Sequence, residues 1–335
     1  MSVSQRNIHA AVLAYGNRPR ELGLVLDRLE SLGIERIVVI GNCVSQSVLD
    51  TIQSHTRQGR AKIDSRSFTR NIGSAGGYSE AIRVAFSSAS CHAVWLLDDD
   101  NLPAPDCFEK LLKACRSIGT NTPALLACLR PSLPEMQRID PELWQRYPAR
   151  GSCVGFNLLN ILRRLRSSPS LEVDTSGLIP LVWTVYGGLL LPRKAFDIGE
   201  LPMESLHLYG DDMEWTARLS RNGFRIMLVC EARIDDLQPP WNAAGETGSN
   251  LLRRIRYLDD RRVYFEARNR NWLALTAFKG NALLYRLNRS LYLLAALVLA
   301  ARYRRMRRFT LLRQAIRDAE LSKLGDCLPS KLDVN

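Results

Sequence analysis

Along the first 120 residues, short apolar runs alternate with stretches whose apolar positions fall three and four apart. Residues 8–14 form a continuous apolar run, as expected for a strand buried on both faces. Residues 20–32 place Leu22, Val25, Leu26, Leu29 and Leu32 on one helical face, and Gly33 ends the helix. Residues 37–40 are a β-branched run and predict a second strand. Residues 48–55 predict a helix, 61–68 a third strand, and 73–86 a helix with a glycine-rich start. Residues 93–97 predict a strand that runs directly into three aspartates. Further on, 183–191 reads as a strand, 212–222 as a helix ended by Gly223, and 224–230 as a strand. From 251 the pattern is helical with no recognisable linker, while 121–180 is irregular. Alternating strands and helices predict an α/β fold, a mostly parallel sheet with helices on both faces. Ligands of such sheets bind beyond the carboxyl ends of the strands. The positions to read for chemistry are therefore Tyr15-Gly16-Asn17-Arg18, Gly41-Asn42-Cys43, Arg70-Asn71 and Asp98-Asp99-Asp100.

Composition narrows the class. The chain has 335 residues, 46% of them hydrophobic and 24% charged, so it can bury a sizeable core and is neither disordered nor collagen-like. It has no apolar run of 18 residues and a polar start without a signal-peptide core, so the expectation is a cytoplasmic protein without a membrane-spanning helix. The eight cysteines form no CxxC pair, which disfavours a structural zinc site; Cys91, Cys107, Cys115 and Cys128 read as reduced core residues.

The formal charge of +12 is unevenly placed. Residues 1–250 hold 27 basic and 27 acidic side chains, whereas 251–335 hold 19 basic and 7 acidic ones. Within that last stretch, residues 291–301 are an apolar run of 11 between arginine groups. The run is too short to span a bilayer, but an arginine-flanked apolar helix suits the interface of an anionic leaflet. The alternative is a core helix with a solvated basic end. No recognition motif accompanies the charge, so nucleic acid is not the expected partner.

Four constellations carry candidate chemistry. At Asp98-Asp99-Asp100 an apolar strand delivers three carboxylates to one point; their repulsion is relieved by a hard divalent cation such as Mg²⁺ or Mn²⁺, or they form a solvated acidic turn. In residues 70–78 the glycines at 73, 76 and 77 permit close backbone approach at a helix start, which favours phosphate or ribose oxygens. This is not the GxGxxG pattern of dinucleotide folds, and plain helix–strand packing is the alternative. At Asp211-Asp212-Met213-Glu214 three acids open a helix, more than capping needs, and one can act as general base toward a hydroxyl. Asp235-Asp236 follows the strand at 224–230 and offers a further metal ligand or an acidic turn.

Together these segments resemble a family 2 glycosyltransferase of GT-A fold, over roughly residues 8–275. Asn17-Arg18-Pro19 with Leu22 resembles the family's first strand-to-helix segment, Asp98-Asp99-Asp100 its DxD motif, and Asp211-Asp212-Met213-Glu214-Trp215 its acidic catalytic motif. Asn71-Ile72-Gly73-Ser74-Ala75-Gly76-Gly77-Tyr78 and Pro192-Arg193-Lys194-Ala195 resemble the galactofuranosyltransferase branch. The resemblance implies a catalytic region at 1–250, with a nucleotide half (1–120) and an acceptor half (121–250), followed by a basic helical region at 251–335. It implies Mn²⁺ or Mg²⁺ on Asp98 and Asp100, with Asp235 where relatives commonly have a metal-binding His. Nucleotide contacts would come from Asn17, Arg18, Asn42, Arg70, Asn71, Gly76, Gly77, Asp98 and Asp99. Asp212 would be the base of an inverting displacement, with Asp211 and Glu214 orienting it or the acceptor.

Two further departures stand out: Gly41 where many relatives have Asp, and Gly187 after Tyr186 where relatives often have paired Trp. Acceptor stacking would then fall to Tyr186, Trp183, Trp215 or Trp241. The implied reaction moves a sugar, galactofuranose from UDP-galactofuranose in first place, to a glycan or polyprenyl-linked acceptor of the cell envelope at the inner face of the membrane. Rhamnose from dTDP-rhamnose, a sugar nucleotidyltransferase and an inactive membrane-binding module are the alternatives.

Overall fold

A computed structural model describes residues 7–118, 123–133, 136, 150–164, 177–238, 249–326 and 328. The first half alternates as the hydropathy pattern requires. Strand β1 (Ile8–Gly16) is followed by α1 (Pro19–Ser31), β2 (Arg36–Val44), α2 (Gln46–Gln58), β3 (Lys62–Phe68), α3 (Gly73–Phe86) and β4 (Ala93–Asp98). Pro19 opens α1 where its missing N–H costs nothing, and Leu22, Val25, Leu26 and Leu29 make its buried face. Then come β5 (Asn101–Pro103), α4 (Cys107–Ile118), β6 (Ala124–Leu129), α5 (Leu158–Arg164), β7 (Leu178–Leu181), β8 (Leu189–Pro192), α6 (Arg193–Asp197), α7 (Asp211–Arg221) and β9 (Arg225–Asp236). Four helices close the chain: α8 (Asn250–Arg256), α9 (Asp260–Leu275), α10 (Ala282–Arg302) and α11 (Met306–Glu320).

The sheet order is β3-β2-β1-β4-β8-β6-β9-β5, with β7 on β9. The longer strands run parallel: β3 to β2, β2 to β1, β1 to β4, and β6 to β9. The short strands β5, β7 and β8 join antiparallel. The expected α/β architecture is thus present, with a helical basic region at its end. Apolar clusters fill both faces of the sheet, and Cys91, Cys107 and Cys128 lie buried in them as free thiols.

Three boundaries differ from expectation. Of residues 183–191 only the last three join the sheet, because Gly188 has φ +92° and Thr184 is tied by its N–H to the Thr216 hydroxyl on α7. Strand β9 runs on to Asp236 because its far end pairs with β5. The 291–301 run is the second half of the 21-residue α10, which by length and composition alone could cross a membrane. Helices α8 to α11 build a third apolar cluster that includes Cys153 and Val154, and Leu273 of α9 belongs to the cluster on the sheet. The helices of residues 250–320 are therefore packed into the fold at α9.

Candidate functional site

The carboxyl ends of β1 and β4 meet at a carboxylate cluster. Register places Leu13 beside Asp98, and the Asp99 N–H donates to the Leu13 carbonyl at 3.1 Å. Asp98 accepts a 2.7 Å bond from the Tyr78 hydroxyl of α3. Asp99 is buried; it accepts from the Tyr15 N–H at 2.9 Å and from Arg18 at 2.8 Å. The same Arg18 nitrogen reaches Asp100 at 2.7 Å. From the other side Arg130, just past β6, places its guanidinium 3.6 Å from Asp98 and 2.7 Å from Asp236. Asn101 bridges Asp100 and Asp236 at 3.3 and 2.8 Å, and the Ser132 hydroxyl donates to Asp236.

Four carboxyl groups thus face two guanidinium groups. Burial pushes Asp99 up to about 7 against the pull of Arg18 and the Tyr15 N–H. Burial and the Asp98 charge push Asp100 up to about 6. With all four ionised the cluster is two charges negative. The donor set is all oxygen, and Asp98 and Asp100 provide the one or two carboxylates with which Mg²⁺ is ordinarily held when substrate phosphates complete its shell. A hard divalent cation fits these two residues. No group of three His, Cys, Asp or Glu is placed for a metal among the described residues.

Asp235 is turned away from this cluster. Side chains alternate along a strand, so Asp235 points out, bonded to Arg233 at 2.9 Å, while Asp236 points in. Gly187 has a packing reason: a Cβ there would land on Arg130 Nη1 and Asn101 Oδ1, and 2.9 Å from Asp98 Oδ2. The glycine makes the space that the Arg130 guanidinium occupies. Gly41 is similar, since a Cβ would lie 2.8 Å from the Ser67 hydroxyl of β3.

The glycine-rich segment is an internal brace. Buried Asn42 donates to Asn71 and to the Gly73 carbonyl, both at 3.1 Å, and accepts from the Ile72 N–H at 2.8 Å. Asn71 accepts from the Gly73 N–H at 2.8 Å. Gly76 and Gly77 lie inside α3 rather than at an open helix start. A Cβ on Gly77 would meet Leu13 of β1 at 2.5 Å, and one on Gly76 would meet Ile72 at 3.3 Å. Gly77 serves helix–strand packing here, and Gly76 makes room for Ile72 at the start of its own helix. Asn17 holds the hydroxyls of Ser45 and Ser47 at 2.7 and 2.9 Å, and Arg70 is exposed.

The acidic motif sits across α3 from the cluster. His207, Tyr209 and Gly210 all have positive φ, so the chain enters α7 through a tight left-handed loop. Gly73 (φ +76°) packs directly on the His207 carbonyl, which leaves no room for a side chain. Buried Asn269 of α9 ties the loop down, donating to the carbonyls of Leu206, Leu208 and Tyr209 at 2.7, 2.7 and 2.9 Å. Asp211 is buried; burial pushes it up to about 6 although the Ser74 hydroxyl of α3 donates to it at 2.7 Å. Asp212, one position on, is half-buried, and its carboxylate accepts from the Met213 N–H at 2.7 Å. Glu214 is locked in a two-bond pair with Arg218 at 2.9 and 3.1 Å.

Among the described residues, the candidate aromatics Trp183, Tyr186 and Trp215 do not form an open stacking surface. Trp215 is fully buried with its indole N–H on the Glu200 carbonyl, because the first turns of α7 pack that face into the sheet core. Trp183 is core as well. Tyr186 is buried, stacked 4.2 Å from Tyr78 and near Trp215. Trp241 lies outside the described residues. The sequence reading missed Asn101, Arg130 and Asn269; it gave Tyr78 only as part of the glycine-rich motif, and of the pair Asp235-Asp236 it singled out Asp235. Arg130 follows a buried strand just as Arg18 and Asp98 do, so the same positional rule would have found it had 124–129 been recognised as a strand.

The fold and site define an α/β protein with a buried acidic cluster at the carboxyl ends of its central strands and a second acidic pair across one helix. No protein-family model matches the chain. Galactofuranosyltransferase GlfT1 of Mycolicibacterium smegmatis (strain ATCC 700084 / mc(2)155) is 29% identical over 154 residues, which are 46% of this chain and 46% of that protein. The matched stretch spans a little under half of that relative. The crystal structure of S. aureus TarS 1-349 superposes on 94% of this chain and 91% of that one, at a TM-score of 0.47 and 10% identity.

Proposed function

We propose that the protein is an inverting glycosyltransferase that uses a nucleotide-sugar donor, with UDP-galactofuranose the favoured donor. The observation that carries the reading is the pairing of two acidic sites across α3. Asp98 and Asp100 stand at the end of β4, and Asp212 opens α7, joined to α3 through Asp211 and Ser74. The likeness to a named galactofuranosyltransferase supports the choice of sugar.

In this reading Asp98 and Asp100 hold Mn²⁺ or Mg²⁺. When bound, such an ion stabilises the negative charge that develops on a departing diphosphate. Arg18 and Arg130 keep the carboxylates in place before the donor arrives. The Asp212 carboxylate takes the proton of an acceptor hydroxyl as that oxygen attacks the anomeric carbon. The bond from that carbon to the nucleoside diphosphate breaks in the same displacement, so the configuration inverts. General-base removal is worth about 10²–10⁴-fold. The acceptor is a glycan or a polyprenyl-linked sugar, reached at the inner face of the cell membrane.

Calorimetry of UDP with and without Mn²⁺ tests the reading. Metal-dependent binding should vanish in Asp98→Ala/Asp100→Ala. Asp212→Asn should bind UDP normally while transfer falls by about 10²–10⁴-fold. Binding of dTDP in place of UDP would move the donor to dTDP-rhamnose. Binding of neither would sink the transferase.

A further inference from the structure

We propose that the outward face of α10, with α5 beside it, is a lipid-contact surface that lays this helix flat in the interface of an anionic bilayer. This deepens the membrane part of the reading above and does not depend on the transfer chemistry.

The helix has two faces of opposite character. Inward, Tyr285, Asn288, Tyr292, Ala296 and Ala300 are buried. Outward, Leu283, Leu287, Leu294, Leu297 and Val298 are 72, 49, 59, 37 and 58% exposed, with half-buried Leu291 among them. Those positions recur every three or four residues and share one side of the helix. Helix α5 begins against α10, its Leu158 N–H on the Asn288 side chain at 3.0 Å, and adds exposed Leu159, Ile161 and Leu162. An apolar stripe of this length is unusual on a surface facing only water.

The inward face decides between lying and spanning. Asn288 also donates to the Gly151 carbonyl at 2.8 Å. The Tyr285 hydroxyl accepts from Asn271 at 2.9 Å and donates to Glu320 at 2.8 Å, and Arg289 pairs with Glu320 at 2.9 Å. The Tyr292 hydroxyl accepts from buried Arg254 at 3.4 Å. A helix crossing the bilayer would have to break these bonds and carry Asn288 and Arg289 into hydrocarbon, where unsatisfied polar groups are costly. Lying flat keeps every one of them.

Charge selects the occupant. At the start of α10 a recess of about 290 Å³ is lined by Lys279, Arg286, Arg289 and Tyr285, with Glu320 the one acid in its wall. At its end Arg302, Arg304 and Arg305 are exposed. An apolar middle with cationic ends matches acyl chains below and anionic headgroups above. A second copy of this chain would instead bring like charges together at both ends.

Flotation of the full-length protein with phosphatidylcholine vesicles, with and without phosphatidylglycerol, tests the surface. The protein should float with the anionic vesicles and release at high salt. Leu287→Glu/Leu294→Glu/Val298→Glu should lower the bound fraction by about tenfold or more, with an unchanged thermal melt. Arg302→Gln/Arg304→Gln/Arg305→Gln should lose only the anionic preference. Single Trp probes at Leu283, Leu294 and Val298 should be quenched by brominated lipid at similar depth. A deep centre with shallow ends would show a spanning helix and overturn the proposal. Flotation unchanged in the Glu variant would also overturn it. So would a wild type that ignores vesicles but forms a dimer that the Glu variant lacks. UDP binding, measured on the same samples, reads the transferase separately: floating without UDP binding would remove that reading and leave this one.

Discussion

Gly187 and Arg130 form one feature although 57 positions separate them in sequence. The missing side chain of the first leaves the space for the guanidinium of the second, and that guanidinium offsets Asp98 and Asp236. Adding a Cβ at 187 should displace Arg130 and Asn101 together. Gly187→Ala is expected to cost about 1–3 kcal/mol by overpacking and to weaken cation-dependent UDP binding. A melt and a titration on the same sample check this; full binding with an unshifted melt would mean that the space is not tight. Residue chemistry also explains why Asp235 was a poor choice from sequence. Of two adjacent aspartates on a strand only one can face inward, and only the pairing of β5 with β9 says which.

At the scale of elements, the loop into α7 is the informative piece. Three of its residues adopt left-handed backbone, two of them not glycine, and such strain persists only where neighbours hold it. The Asn269 amide on α9 is that hold. Asn269→Ala removes the three amide contacts to the loop carbonyls and the bond accepted from Arg268, hydrogen bonds of the kind worth about 0.5–1.5 kcal/mol each, and frees the segment that carries Asp212. Turnover should fall while UDP affinity stays, because Asp98 and Asp100 stand on a different element. Equal losses in both would mark a general loss of folding instead.

The buried Asp211 adds a pH signature to the same element. Its carboxyl is raised in the fold to about 6 by burial. Stability from this group is therefore full below the unfolded value of about 4 and is lost as pH rises through about 6. Asp211→Asn should flatten the dependence of melting temperature on pH across that window. A parallel pair of curves for wild type and variant would refute the assignment.

For the whole molecule, helices α8 to α11 are part of the fold. Leu273 packs with the sheet core, Asn269 and Arg268 reach the loop before α7, and Arg254 is buried against Glu266 at 2.9 Å. Burial alone would raise Glu266, but Arg254 and Arg270 hold it down at about 2. Removing one partner of such a pair leaves an unpaired buried charge and costs about 3–5 kcal/mol. A chain cut after residue 250 should thus be insoluble or melt without a cooperative transition, and a sharp calorimetric transition in that fragment would contradict the shared core. For this reason the lipid surface is tested by substitution on the exposed face and not by truncation.

Local periodicity was enough to establish the alternating strands and helices of residues 8–98, the placement of Asn17, Arg18 and Asp98–Asp100 at strand ends, and the concentration of basic charge after 250. These follow from neighbours in sequence: a buried strand must be apolar, and what comes after it in a parallel sheet stands at one edge. Long-range packing decided the rest. Gly76 and Gly77 turned out to be contact points for Ile72 and Leu13, and Trp183, Tyr186 and Trp215 turned out to be core. Arg130 and Asp236 joined the acidic cluster only through strands paired across more than 100 positions. The 11 apolar residues after 290 became the second half of a longer helix, some of them buried and some exposed, whose inward side is held by polar bonds. Hydropathy reports whether a residue prefers to leave water. Which partner it then meets depends on chain segments that no local window contains.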